Sequence, residues 1–146
     1  MEPLIIDASI AIKWVVEEEG TEAALDLRRG FRFLAPELMI AECANILWKK
    51  VQRGELLPDE ARMASRLLER AGIEFVGAHG MLEEATDLAI SLAHPAYDCI
   101  YLGVALRKEV RFITADQRLL RAVSERGTDD LKRLCVSLSD LNGTSH

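Results

Sequence analysis

Four acidic residues in this chain occupy positions where carboxylates can do chemistry. Asp7 ends an apolar run, and Asp116 follows a short apolar stretch of the same kind. Glu42 lies within a largely apolar helical segment, and Asp98 stands at the start of another. Carboxylate oxygens are the ligands that Mg²⁺ and Mn²⁺ prefer. A metal-bound water is a nucleophile for attack on phosphorus, so these residue types indicate phosphoryl-transfer or phosphodiester chemistry.

Each acid also has a purely structural interpretation. Asp116 can cap the helix that follows it, Asp98 can complement a helix dipole, and Asp7 can cap a helix or form a turn. Glu42 is harder to explain in this way, because its i+4 neighbour is Ile46 rather than Lys or Arg. A carboxylate buried there without a partner would lose roughly several kcal/mol of hydration free energy, or it would take up a proton and become neutral.

The elements that must position these acids alternate between strand and helix. Apolar runs at 4–6, 33–35, 73–76, 112–114 and 134–138 predict short strands, the last at a sheet edge. Helical spacing predicts helices starting after Ser9, at Thr21 and at residues 37, 58, 79, 95 and 116. The pattern indicates an α/β fold, with a mainly parallel sheet of four to five strands and helices on both faces.

This fold would bring the acids together. Parallel strands present their carboxyl ends at one edge of a sheet, so we expect Asp7 and Asp116 to be neighbours there. Glu42 and Asp98 can reach the same edge from the flanking helices. Because four carboxylates in one place repel one another, the natural counter-charge is Mg²⁺ or Mn²⁺.

Several polar residues could support such a site. Ser9 and Thr114 can orient ligands or water through their hydroxyls, although they can equally be local caps. Asn45 shares a polar helical stripe with Glu42 and is a further supporting candidate. Lys13 and Lys49 lie within two helical turns of Asp7 and Glu42, so either could contact an RNA phosphate, although most lysines of this kind are surface residues.

The composition limits the class of protein. The chain, 146 residues long, fits a single domain, and we expect 142–146 to form a loose tail. The net charge of −6 argues against a DNA-coating protein but not against a metal-dependent nucleic-acid enzyme. The three cysteines have no C-x-x-C spacing and the three histidines form no H-x-x-x-H pair, which disfavours zinc. With no membrane-spanning stretch and an acidic start unlike a signal peptide, we expect a cytoplasmic protein.

The sequence resembles the PIN-domain family, most closely the small VapC-type toxins of prokaryotic toxin–antitoxin pairs. The resemblance covers nearly the whole chain and rests on IDAS at 6–9, ECANIL at 42–47, YD at 97–98 and TAD at 114–116. It implies a three-layer α/β/α sandwich and a Mg²⁺- or Mn²⁺-dependent endoribonuclease. It implies that the acidic site consists of Asp7, Glu42, Asp98 and Asp116. It also implies a homodimer that is held inactive by a small antitoxin.

The chain departs from the family at residues 8–9, where many members carry Thr or Asn and Ala8-Ser9 keeps only a hydroxyl. Two other classes of protein stay open. One is another Mg²⁺-dependent phosphoryl-transfer domain, although a dehalogenase-type phosphatase would carry aspartate at position 9. A receiver domain would carry an acidic pair before its first helix. The other alternative is a binding or scaffold protein that has the same fold and no activity.

Overall fold

One parallel sheet organises the chain. The computed structural model describes residues 1–144, with side chains described to Leu141. Within that range the strands are β1 (Glu2–Ile6), β2 (Phe31–Pro36), β3 (Ile73–Val76), β4 (Phe112–Thr114) and β5 (Cys135–Ser137). Their order across the sheet is β3-β2-β1-β4-β5, and every pairing is parallel. The predicted α/β fold is confirmed, with β5 at an edge as expected.

Helices connect the strands. They are α1 (Ala8–Ala11), which continues into a 3₁₀ turn (Ile12–Trp14), α2 (Thr21–Leu27), α3 (Leu38–Gln52), α4 (Pro58–Glu69), α5 (Leu82–Leu92), α6 (Ala96–Lys108), α7 (Gln117–Arg126), α8 (Asp129–Leu134) and α9 (Leu138–Thr144). Pairs α3–α4 and α5–α6 pack against each other, and α3 and α6 both contact β2. The helices that carry Glu42 and Asp98 therefore both pack against the sheet.

The centre of the core lies around β1. Leu4, Ile5 and Ile6 are completely buried, because this strand has neighbours on both sides and helices over the sheet. Helix α6 is buried over most of its circumference, as its composition predicts. It approaches the start of α5 closely at Gly103, where an added Cβ would clash with the Cε atom of Met81, the N-cap residue of α5.

The first helix is shorter than predicted. The apolar residues within 10–16 predict a helix that ends at the acids 17–19, which we expected to form a solvated face, but the helical segment ends in the 3₁₀ turn at Trp14. The Nζ of Lys13 donates to Glu18 at 3.2 Å and to the carbonyl of Glu19 at 2.6 Å, which folds the chain back. Glu18 also accepts a hydrogen bond at 3.3 Å from Nζ of Lys50 on α3. The acids at 17–19 are thus not simply a solvated face, because Glu18 joins two helical segments.

Two other expectations from the sequence were wrong. On α3 the helical spacing of apolar residues predicts a core stripe that includes Ile40, but Ile40 is 57% exposed and the buried positions are Met39, Cys43 and Leu47. At the end of the chain, α8 and α9 were not predicted, and the backbone of 142–144 belongs to α9 rather than to a loose tail. Leu138 and Leu141 are buried and anchor this helix. Residues 145–146 of the expected tail lie outside the described residues.

Among residues 1–144, no single helix has both the length and the apolar composition needed to cross a bilayer. Helices α5 and α6 meet that test only as a pair, and they are bent by 112° where they join.

Candidate active site

Asp7 and Thr114 meet where β1 and β4 end. The register of these neighbouring strands pairs Ile6 with Ile113, so the next residue of each chain segment lies at the same edge. Asp7 occupies the N-cap position of α1, but its side chain makes no capping hydrogen bond. Its carboxylate is therefore available for contacts across the sheet edge.

Two hydroxyl groups hold the Asp7 carboxylate. Ser9 donates a hydrogen bond to Oδ1 and Thr114 donates one to Oδ2, each at a distance of 2.5 Å. These hydroxyls are themselves oriented, because the amide of Ala115 donates to Ser9 Oγ and that of Asp116 donates to Thr114 Oγ1, both at 3.0 Å. Both hydroxyls therefore point their protons at Asp7.

The surroundings of Asp7 oppose its ionisation. The pKa of its carboxyl is raised from 3.8 to about 7, mainly by burial and to a smaller extent by the negative charges of Asp98 and Glu42. The hydrogen bonds from Ser9 and Thr114 act in the opposite direction and lower the pKa. The three carboxyl groups thus lie close enough to sense each other's charge.

Glu42 projects from α3 and is held from another helix. The hydroxyl of Tyr101 on α6 donates to its Oε1 atom. Partial burial raises the pKa of Glu42, as do the charges of Asp98 and Asp116, while the Tyr101 hydrogen bond lowers it. Glu42 and Asp98 also line the same shallow cleft of about 360 Å³.

Asp98 lies in the first turn of α6, where a negative charge is favoured by the helix dipole. It does more than complement the dipole, because its Oδ2 atom lies 2.6 Å from Nε2 of His94. The side chain of His94 is only 8% exposed, so this pair is shielded from solvent on the histidine side.

Asp116 is both a helix cap and a neighbour of the other acids. Its Oδ1 atom accepts hydrogen bonds from the amides of Arg118 at 2.9 Å and Leu119 at 3.2 Å, which caps α7 as the sequence suggested. Its charge still raises the pKa of Glu42. The structural and electrostatic roles of Asp116 therefore coexist.

Comparison with known proteins identifies the family. The model of the PIN domain matches residues 4–125, which is most of the chain. The chain belongs to the PIN-domain family. The crystal structure of PAE2754 from Pyrobaculum aerophilum is similar, with a TM-score of 0.67 and 21% sequence identity over 96% of this chain and 93% of that chain. No curated protein shows a significant match to the sequence.

Membership in the PIN-domain family confirms the predicted sandwich fold and removes the dehalogenase-type and receiver-type alternatives. PIN domains are generally nucleases and typically use divalent metal ions. Nuclease-type chemistry is therefore the activity that the family indicates for this chain.

The donor atoms of this PIN domain suit a divalent cation of the Mg²⁺ class. Three of its four acids have one oxygen held by a protein donor, and the other oxygen accepts no hydrogen bond within the described chain. These open atoms are Oε2 of Glu42, Oδ1 of Asp98 and Oδ2 of Asp116. Among the described residues, however, no three acidic, histidine or cysteine side chains converge into a ready-made metal site. The acids lie within electrostatic reach of each other, and their chemistry fits hard cations.

Thiolate ligands are disfavoured in this PIN domain. All three cysteines are buried and free. Burial raises the pKa of Cys43 to about 12, that of Cys99 to about 11 and that of Cys135 to about 12. The thiols therefore stay protonated near neutral pH and leave the carboxylates as the charged ligands.

The remaining candidate residues differ in their exposure and in their contacts. Asn45 is exposed and lines the cleft beside Glu42 and Asp98, but it makes no hydrogen bond within the described part of the chain. Lys49 is exposed and has no ion-pair partner there. Lys13 is committed to Glu18 and Glu19 with a side chain that is 13% exposed, so the suggestion that it contacts RNA is not favoured by the structure.

Sequence reasoning missed two residues at this site. His94 stands four residues before Asp98, and this helical spacing could have suggested the contact even though α6 begins only at Ala96. Tyr101 is separated from Glu42 by 59 residues, and no local pattern indicates their contact.

Proposed function

We propose that this PIN domain is a Mg²⁺- or Mn²⁺-dependent endoribonuclease, with Asp7, Glu42, Asp98 and Asp116 as its acidic site. The observation that supports this function best is the electrostatic coupling of the acids at one sheet edge. Burial, with smaller contributions from the charges of Asp98 and Glu42, raises the pKa of Asp7 to about 7. Such an arrangement costs stability, and a divalent cation would offset that cost.

The side chains have distinct parts in this proposal. Glu42, Asp98 and Asp116 offer open carboxylate oxygens toward a cation, and Asp7 offers a carboxylate whose orientation is set by Ser9 and Thr114. When bound, the ion would neutralise these charges and lower the pKa of a water that attacks phosphorus. Asn45 lines the cleft beside Glu42 and Asp98, and Lys49 is exposed one helical turn further along α3, so both side chains would be available to the RNA substrate.

The experiment is cleavage of total RNA by the purified protein in EDTA, Mg²⁺ or Mn²⁺. Asp98→Asn keeps the size of the side chain and is expected to reduce cleavage by at least about 100-fold, since loss of a ligand should cost no less than loss of its supporting contacts. Asp87→Asn makes the same chemical change at an exposed position of α5 and should leave cleavage intact. Cleavage that persists in EDTA or in Asp98→Asn would refute the assigned site.

The inactive scaffold is distinguished by the same assay. A folded wild-type protein that cuts no RNA with either metal would favour a binding protein on the PIN fold over the enzyme.

The toxin role extends this proposal. The protein would act in the cytoplasm as a homodimer that a small antitoxin holds inactive, as its sequence resemblance to VapC-type toxins implies. Exposed apolar side chains on α3 and α4, including Ile40, Trp48 and Leu67, offer surface that a partner would cover. The first check is a short reading frame immediately upstream of the gene, whose product should copurify with this chain and suppress RNA cleavage.

A further inference from the structure

The structure contains a tie between the two helices that carry the candidate ligands. Tyr101 lies on α6 one turn after Asp98, and its hydroxyl donates to Oε1 of Glu42 on α3. One helix therefore supplies an acid of its own and a donor that holds the acid of its neighbour. This arrangement sets the position of Glu42 relative to Asp98.

The tyrosine ring is itself held firmly. Tyr101 is completely buried and stacks on Phe112 of β4, with ring centroids 5.3 Å apart and planes 10° from parallel. A buried tyrosine hydroxyl requires a hydrogen-bond partner, and Glu42 is the partner that it has. Burial also raises the pKa of Tyr101 above its ordinary value, so the phenol keeps the proton that it donates.

Glu42 needs such a tie more than the other acids do. Asp7, Asp98 and Asp116 each have a contact within four residues along the chain, namely Ser9, His94 and the amides at 118–119. Glu42 has the longest side chain of the four and no local partner within the described chain. Without Tyr101 the Glu42 side chain would sample several rotamers, and binding a ligand would then cost the entropy of fixing one of them.

We infer that Tyr101 is a positioning residue, which fixes Oε1 of Glu42 and so presents Oε2 to a divalent cation beside Asp98. This inference rests on the proposed function, because it assigns Tyr101 a role at the proposed site. It predicts that the hydroxyl of Tyr101 contributes to metal affinity although it touches no metal.

The test is the affinity of the metal-free protein for Mn²⁺, measured by titration with detection of free Mn²⁺ by electron paramagnetic resonance. Tyr101→Phe keeps the ring on Phe112 and removes the hydroxyl, and it should weaken Mn²⁺ binding by roughly 10- to 100-fold, as loss of a contact that supports a ligand does. RNA cleavage should fall at limiting Mn²⁺ and recover at saturating Mn²⁺.

The matched control is Tyr97→Phe, which removes the other tyrosine hydroxyl from the same helix. Tyr97 is 65% exposed and its hydroxyl makes no hydrogen bond within the described chain, so Mn²⁺ affinity should not change. A second variant, Glu42→Asp, keeps the charge but withdraws the carboxylate from the hydroxyl. It should weaken Mn²⁺ binding, and adding Tyr101→Phe to it should cause little further loss.

The outcomes separate this inference from the proposed function. Wild-type Mn²⁺ affinity in a folded Tyr101→Phe variant would overturn the inference and leave the proposed nuclease intact. Should Tyr101→Phe fail to fold, unchanged affinity in Glu42→Asp would overturn it instead. A wild-type protein that binds no Mn²⁺ would overturn both. Equal losses in Tyr97→Phe and Tyr101→Phe would also reject the role assigned to the Glu42 contact.

Discussion

The hydroxyl of Thr114, the last residue of β4, donates a hydrogen bond at 2.5 Å to Oδ2 of Asp7, the first residue after β1. The contact joins segments that lie 107 residues apart in the chain. Because it favours the ionised form of Asp7, it lowers the pKa of this carboxyl and partly offsets the effect of burial, and the resulting pKa is about 7. A residue of one strand thus favours the charged form of a carboxylate that follows another strand.

Replacing this hydroxyl should change the pH profile of the enzyme. Thr114→Val is similar in shape and cannot donate, so the pKa of Asp7 should rise further and the rising limb of RNA cleavage should move to higher pH. At pH 7 we expect roughly a 10- to 100-fold loss of activity, with partial recovery at pH 9. Thr86→Val, on the exposed face of α5, is the control. An unshifted profile would contradict the coupling of Thr114 to Asp7.

The stability of the metal-free protein should depend on the ionisation of Asp7. Its folded pKa of about 7 lies above the ordinary 3.8, so the native state binds more protons than the unfolded state between these values. The stability associated with protonated Asp7 is fully present below about pH 3.8 and is lost as pH rises through about 7.

Asp7→Asn removes this titration. We expect the variant to unfold at a higher temperature than wild type at pH 8 in EDTA, with a smaller difference at pH 4. Added Mn²⁺ should raise the midpoint of wild type at pH 8 and have little effect on the variant. Thermal unfolding followed by circular dichroism measures both. A lower midpoint for Asp7→Asn at pH 8 would show that the buried charge is not a cost to the fold.

His94 should matter through its contact with Asp98. His94→Ala releases Oδ2 of Asp98, and we expect roughly a 10- to 100-fold loss of metal affinity and of cleavage at limiting metal. His94→Gln, whose amide can still donate, should retain more activity. His79→Ala changes an exposed histidine and serves as the control. Equal activity of the His94→Ala and His79→Ala variants would leave His94 without a role at the site.

Lys13 should contribute to stability rather than to RNA binding. Lys13→Met removes its contacts with Glu18 and Glu19 and should lower the free energy of unfolding by about 1.5–3 kcal/mol, the usual range for a hydrogen bond to a charged group. Urea denaturation measures this loss. RNA affinity should stay close to that of wild type. A large loss of RNA affinity without a loss of stability would restore the phosphate-contact hypothesis.

Much of the fold could be predicted because its signals are local. The apolar run of β1 indicated a strand, and the capping and breaking residues around α3, α6 and α7 indicated helices. The alternation of strands and helices predicted a parallel sheet, whose geometry placed Asp7 near Asp116. Ile40 was misplaced because the buried stripe of α3 is offset by one residue, through Met39 and Cys43. Helix α8 was missed because its short sequence is mostly charged, and only its Thr128 cap and buried leucines mark it.

The contacts around the acids were less predictable. The tie between Tyr101 and Glu42 depends on how two helices pack, and the bond from Thr114 to Asp7 depends on strand register. Neither can be read from a window of sequence. The commitment of Lys13 to Glu18 likewise follows from a turn that the sequence did not predict.

The central claim is that Asp7, Glu42, Asp98 and Asp116 surround one divalent-metal site. Anomalous diffraction at the manganese edge, from crystals soaked in MnCl₂ at a concentration that supports RNA cleavage, tests it most directly. We predict a manganese peak within coordination distance of carboxylate oxygens from this group, and no such peak in crystals of Asp98→Asn. A peak bound elsewhere, or none at the four acids while cleavage proceeds, would contradict the account.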